Sequence, residues 1–126
     1  MTSAYDRWSE QAHYDLKTAQ AMMESGRYLY VLFCCQQSVE KMLKALIAQR
    51  TQEFPPRLHN LIRLADAAGI KLEEDMADFL RELSAYYIQT RYPEEIADLS
   101  SQVKDRAAQE ILTKTEGVIL WLSSMK

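Results

Sequence analysis

The chain has 126 residues, 48% of them hydrophobic, and a formal net charge of −3. That is enough for a single domain over residues 1–126, burying roughly 65% of its unfolded surface without disulfide or metal staples. An acidic chain is a poor candidate for wide non-specific binding to nucleic acid, and the apolar run Tyr28 to Cys35 is well short of the ~20 residues a membrane helix needs.

With three glycines and three prolines, the composition reads as a soluble, mostly helical protein. The stretch Met1 to Arg7 shows no basic segment followed by a hydrophobic one, so no secretory signal is visible and a cytoplasmic location is expected. Cys34 and Cys35 are neighbours whose side chains leave a helix about 100° apart. They read as apolar packing thiols of a reducing compartment, not as a disulfide or a zinc site. Neither a metal nor a cofactor is expected.

Tyr5, Trp8, Ala12, Leu16, Ala19 and Met23 recur at spacings of three and four and predict a first helix over about 5–24, ended by Gly26. Leu32, Cys35, Val39, Met42 or Leu43, and Leu46 predict a longer, central helix over about 28–50, stopped by the segment Thr51 to Pro56. Leu58, Leu61, Ile62 and Ala65 predict a short third helix that ends before Gly69. Met76, Phe79, Leu80, Leu83, Tyr86 and Tyr87 predict a fourth, with Glu73, Glu74 and Asp75 at its amino end and Arg91 at its carboxyl end.

Val103, Ala107, Ile111, Val118 and Leu122 predict a last helix over about 100–124, with Ser100 or Ser101 as caps. No strand pattern competes. The expected architecture is all-α: an antiparallel up-and-down four-helix bundle with an additional short helix, 58–68, packed across one end.

Three places carry chemistry. On the second helix Gln36, Glu40 and Lys44 form one column at a spacing of four, and Gln37 and Lys41 form the next. Read plainly, Glu40 and Lys44 are a surface pair contributing about 0.3–0.5 kcal/mol. Residues 41–63, with Lys41, Lys44, Arg50, Arg57 and Arg63 against Glu53, are net basic and offer a surface for one phosphate or an acidic partner. His59 follows two prolines and an Arg-Leu pair, where an imidazole can bind phosphate, exchange a proton or hydrogen-bond the backbone; His13 reads as a rim residue.

Arg91-Tyr92-Pro93-Glu94-Glu95 sets a guanidinium fork and a stackable ring against a proline that biases Tyr92 out of helical conformation. Tyr87 and Arg91 would lie one turn apart on the fourth helix, and Tyr86 and Tyr87 lead into them, which suits recognition of a nucleotide or another subunit. No glycine-rich phosphate loop, nucleophile elbow or paired zinc histidines occur, so any chemistry would be metal-independent.

Gln36 to Leu46, Leu58-His59-Asn60-Leu61 and Tyr87-Ile88-Gln89-Thr90-Arg91-Tyr92-Pro93, with Trp8 and Asp15-Leu16 on the first helix, together resemble the HEPN family in its RYP form. The resemblance implies a bundle of about five helices, a homodimer, and pairing with a minimal nucleotidyltransferase in a toxin–antitoxin arrangement. For many HEPN ribonucleases the motif is an arginine followed after four to six residues by a histidine. Arg91 fills the first position, but Ile96, Ala97 and Asp98 occupy the second.

An aspartate, with a reference pKa near ~3.9, is poorly matched to that histidine's proton transfer. The expectation is therefore a nucleotide-binding or regulatory subunit and not an enzyme. Lys41, Lys44 and Arg91 would meet phosphate, Tyr87 or Tyr92 a base, and His59 would add a hydrogen bond. By position, Tyr92 is also the candidate for nucleotide modification. The alternatives are a metal-independent ribonuclease using Arg91 with His59, for which RNA would be the substrate, and a non-catalytic dimeric interaction module.

Overall fold

A computed structural model describes residues 2–89 and 91–126; Met1 and Thr90 of the motif segments lie outside the described residues. Among them are six helices and no strand: α1 (Ala4–Glu24), α2 (Tyr28–Thr51), α3 (Leu61–Ala67), α4 (Glu74–Ser84), α5 (Pro93–Gln102) and α6 (Asp105–Ser123). The all-helical class expected from the periodicity is borne out. None of these helices is long and apolar enough to cross a membrane.

Local chemistry fixes the ends. Ser3 and Asp6 form a reciprocal capping box at the start of α1, the Ser3 hydroxyl accepting from the Asp6 amide at 3.0 Å. At its end Gly26 takes φ +75, and the amides of Gly26 and Arg27 donate to the carbonyls of Met23 and Met22, turning the chain straight into α2. The same motif at Gly69, φ +71, closes α3, with Ile70 folding back as its amide donates to Ala65.

The core is built on α2, which packs against each of the other helices. Its apolar positions wrap most of its circumference: Val31, Leu32, Cys35, Val39, Met42, Leu43 and Leu46 are all buried. Each fully buried leucine stabilises the fold by about 1.5–3 kcal/mol. Partners come from α1 (Ala12, Ala19), α3 (Leu61, Leu64), α4 (Leu80, Leu83) and α6 (Ala108, Leu112, Val118, Leu122). Alanines on α1 let it approach α2 closely, and there Ser38 donates to the Ala12 carbonyl at 2.7 Å.

Two expectations about the carboxyl-terminal half need correction. The fourth helix ends at Ser84, so Tyr86, Tyr87 and Arg91 follow it in tight turns, and Tyr87 and Arg91 are not one turn apart on a helical face. Nor does one helix cover 100–124: α5 runs from Pro93 and α6 begins at Asp105, with Lys104 and not Ser100 or Ser101 at its N-cap position, where its side chain makes no cap bond. Pro93 starts a helix as well as preventing one. Its fixed φ suits the first helical position, Glu94 and Glu95 complement the helix dipole, and Tyr92 is extended at φ −75, ψ 157. α5 buries no residue fully, and only Ile96 and Leu99 pack half-buried against the core, too short a stripe to stand out in the sequence.

Candidate functional site

The polar column of α2 is not a surface feature. Gln36 is 0% exposed, Glu40 4% and Lys44 7%, so the Glu40–Lys44 pair is buried among helices. Burying two charges carries a desolvation cost that is recovered only when their remaining bonding capacity is met. Here it is met from several elements. Glu40 Oε2 accepts from Lys44 Nζ at 3.2 Å, and Oε1 accepts from Gln36 Nε2 and from the His59 ring nitrogen Nδ1, both at 3.0 Å. Gln37 Nε2 donates to Gln36 Oε1 at 2.7 Å, and Lys44 Nζ also lies 5.6 Å from the centre of the Trp8 ring on α1.

His59 reaches Glu40 because the segment before α3 is tied down on both sides. Gln36 Nε2 also donates to the His59 carbonyl at 3.2 Å. Asn60 caps α3 by accepting from the Arg63 amide, and the Leu61 amide donates to Ser84 Oγ at the end of α4. With Nδ1–H donating to the carboxylate, Nε2 is left to accept and has no partner among the described residues, and 44% of the side chain is open to solvent.

One face of the imidazole is covered by Tyr87, whose ring lies parallel at 13° with centroids 3.8 Å apart. Phe33 of α2 meets Tyr87 from the side at 6.0 Å, and the Tyr87 hydroxyl donates to Gln89 Oε1 at 3.1 Å. Burial, and then the nearby charge of Glu40, raise the phenol's pKa above its ordinary value, so Tyr87 remains a neutral, stackable ring.

Arg91 folds back on the same turn. Its Nη2 donates to the Ala85 carbonyl at 2.6 Å, Nη1 lies 3.5 Å from Glu95 Oε2, and Nε is buried without a partner among the described residues. Tyr92, beside it, is 73% exposed. His59 and Tyr87 are thus in direct contact, with Arg91 and Tyr92 on the chain segment that carries Tyr87. Lys41 is separate: its ammonium pairs with Asp15 of α1 at 2.7 Å.

Outside this cluster His13 is exposed and hydrogen-bonds the Ser9 carbonyl through Nδ1. Desolvation pushes the Cys34 thiol up to about 11 and the Cys35 thiol up to about 12, as expected of packing residues and not of nucleophiles. No group of three potential metal ligands occurs among the described residues. Sequence reasoning missed the role of Gln36 and Glu40 as the anchor of His59. The signal was present as a column of polar residues on a helix otherwise apolar almost all round.

A HEPN domain family model matches residues 5–125, and the chain belongs to the HEPN domain family. Two solved structures share the fold over nearly the whole length. TT1696 from Thermus thermophilus is 27% identical, with a TM-score of 0.81 over 98% of each chain. ST0689, an archaeal HEPN homologue, is 24% identical with a TM-score of 0.68, over 99% of this chain and 98% of the other; that likeness is one of fold alone. No curated protein matches the sequence.

Proposed function

We propose that this HEPN domain is a nucleotide-binding, regulatory subunit that works beside a minimal nucleotidyltransferase, as one half of a toxin–antitoxin pair. The observation that carries the reading is the His59–Tyr87 stack anchored by Glu40, next to the Arg91-Tyr92 segment. A guanidinium fork suits phosphate, the accepting Nε2 suits a ribose hydroxyl or a base amino group, and aromatic faces suit a base. Lys44 and Lys41 reach phosphate only by leaving Glu40 and Asp15, so in this reading they chiefly hold those carboxylates, and His59, Tyr87, Arg91 and Tyr92 make the contacts.

Calorimetry with nucleoside triphosphates tests this directly, with binding expected in the wild type and weakened about tenfold or more in Arg91→Ala and His59→Ala. No heat with any nucleotide, together with unchanged transferase binding by Arg91→Ala, removes the proposal. Mass spectrometry after coexpression with the transferase tests Tyr92 as a modification site: an added nucleotide on Tyr92 is expected, and an unmodified residue removes that part. Light scattering on Tyr92→Ala asks whether this segment also serves a homodimer contact.

A second reading, a metal-independent ribonuclease, is favoured by the Glu40–His59 pair. Nε2 would take the proton of a ribose 2′-hydroxyl as that oxygen bonds to phosphorus; the P–O5′ bond breaks, and the imidazolium returns the proton to the leaving oxygen. Arg91 would stabilise the charge on phosphate. RNA cleavage in EDTA that is lost in both Arg91→Ala and His59→Ala supports this reading over the first.

A further inference from the structure

Between α4 and α6 the bundle is left open. No Cα of α4 comes within 8 Å of one in α6, and a cleft of about 650 Å3 runs along the seam. Its floor is apolar: Met76 and Phe79 from α4, half-buried, and Val118 from α6. At Met76 it joins a further cleft of about 310 Å3 that reaches Trp121. α4 presents one face to the core through Leu80 and Leu83 and leaves this second apolar edge uncovered.

Three features point to what covers it. The α4 rim of the main cleft is acidic, with Asp75 and Glu82 beside Asp78, which pairs with Arg81, while Glu73 and Lys71 line the extension. The Phe79 ring already takes a cation, since Lys114 Nζ reaches across the seam to 5.6 Å from its centre. Gly117 sits inside α6, where glycine is the poorest helix former after proline, and a Cβ there would meet nothing within 4 Å. Nothing in the chain's own packing calls for that missing side chain. It lowers the groove wall where another backbone would cross, with Leu120, 76% exposed, one turn further on.

We propose that the α4–α6 seam docks a basic amphipathic helix of a partner protein. Apolar side chains of that helix enter between Met76 and Val118, and its lysines or arginines meet Asp75 and Glu82 and share the Phe79 ring with Lys114. Helix-in-groove recognition has this form: an apolar stripe for anchoring and flanking charges for register. A second copy of the chain is the poorer occupant where the two-fold axis falls on the α4 rim, since Asp75 and Glu82 would then face their own copies. The proposal is independent of the nucleotide site.

The probe is a two-heptad synthetic peptide of leucine and lysine in an amphipathic helical pattern, compared with a scrambled peptide of the same composition. The wild type is expected to bind the patterned peptide at least about tenfold more tightly, and Gly117→Leu, which fills the groove from an open helix position, is expected to remove that preference with the melting temperature retained. Phe79→Ala supplies a second variant with the same expected loss. Equal binding of the two peptides, or a preference surviving in Gly117→Leu, overturns the proposal. A change of oligomeric state on Gly117→Leu also overturns it, by giving the seam to a second copy.

Discussion

The two sides of the candidate site are built on opposite terms. On α2 the polar groups are sealed in: Gln36, Glu40 and Lys44 are each at most 7% exposed, and each is hydrogen-bonded. Across from them the chain from Arg91 to Gln102 lies shallow, with α5 fully burying nothing and Tyr92 73% exposed. His59 and Tyr87 are the hinge between the two, one bonded to the sealed side and stacked on the other. A buried, satisfied network holds an imidazole in one orientation, and a shallow aromatic segment offers surface to a ligand; neither side does both.

Removing Glu40 strikes the sealed side hardest. Glu40→Ala leaves the Lys44 ammonium buried and unpaired and takes an acceptor from Gln36 and His59, so a loss of about 3–5 kcal/mol is expected in urea unfolding. A loss below about 1 kcal/mol, the value of a surface pair, breaks the contrast. Tyr87→Ala removes the stack on His59 and the Phe33 contact, with an expected loss of about 2 kcal/mol by the same measurement.

The thiols of α2 give a pH test of its burial. Their folded-state pKa is raised above the reference value of 9.0, to about 12 for Cys35, so the unfolded chain ionises first. The stability they contribute is complete below pH 9 and is lost as pH rises toward 12; one unit above 9, Cys35 accounts for about 1.4 kcal/mol. Cys34, raised to about 11, contributes a similar slope between pH 9 and 11, so Cys35→Ser is expected to remove about half of it there, and an unchanged slope would mean the Cys35 thiol is not buried. The smallest effect belongs to the exposed side: Tyr92→Ala is expected to change stability by no more than about 0.5 kcal/mol. A larger loss would show the segment to be structural.

How much of this was legible in the sequence depended on how local each cause is. The limits of α1 and α2 follow from apolar spacing and from Gly26, all within one turn of the boundary, and the structure keeps them to within a residue. The column of Gln36, Glu40 and Lys44 was readable as a pattern, but its burial was not. Beside Lys44 and Gln36 of its own helix, Glu40 is bonded by His59, 19 residues further along the chain, brought over by a cap and by a bond from Leu61 to Ser84. Pro93-Glu94-Glu95 has the chemistry of a helix start, yet the apolar stripe of α5 is only Ile96 and Leu99, and apolar spacing set no helix between Arg91 and residue 100.

The central claim is that His59, held by Glu40 through Nδ1, presents Nε2 to a nucleotide. Imidazole nitrogen NMR during titration with a nucleoside triphosphate measures this, because the chain has two histidines and His13, exposed on α1, serves as the internal reference. The account predicts a saturable shift of the His59 Nε2 resonance, with Nδ1 remaining protonated and His13 unmoved. A silent His59 at saturating nucleotide, or a shift in His13 alone, would contradict it.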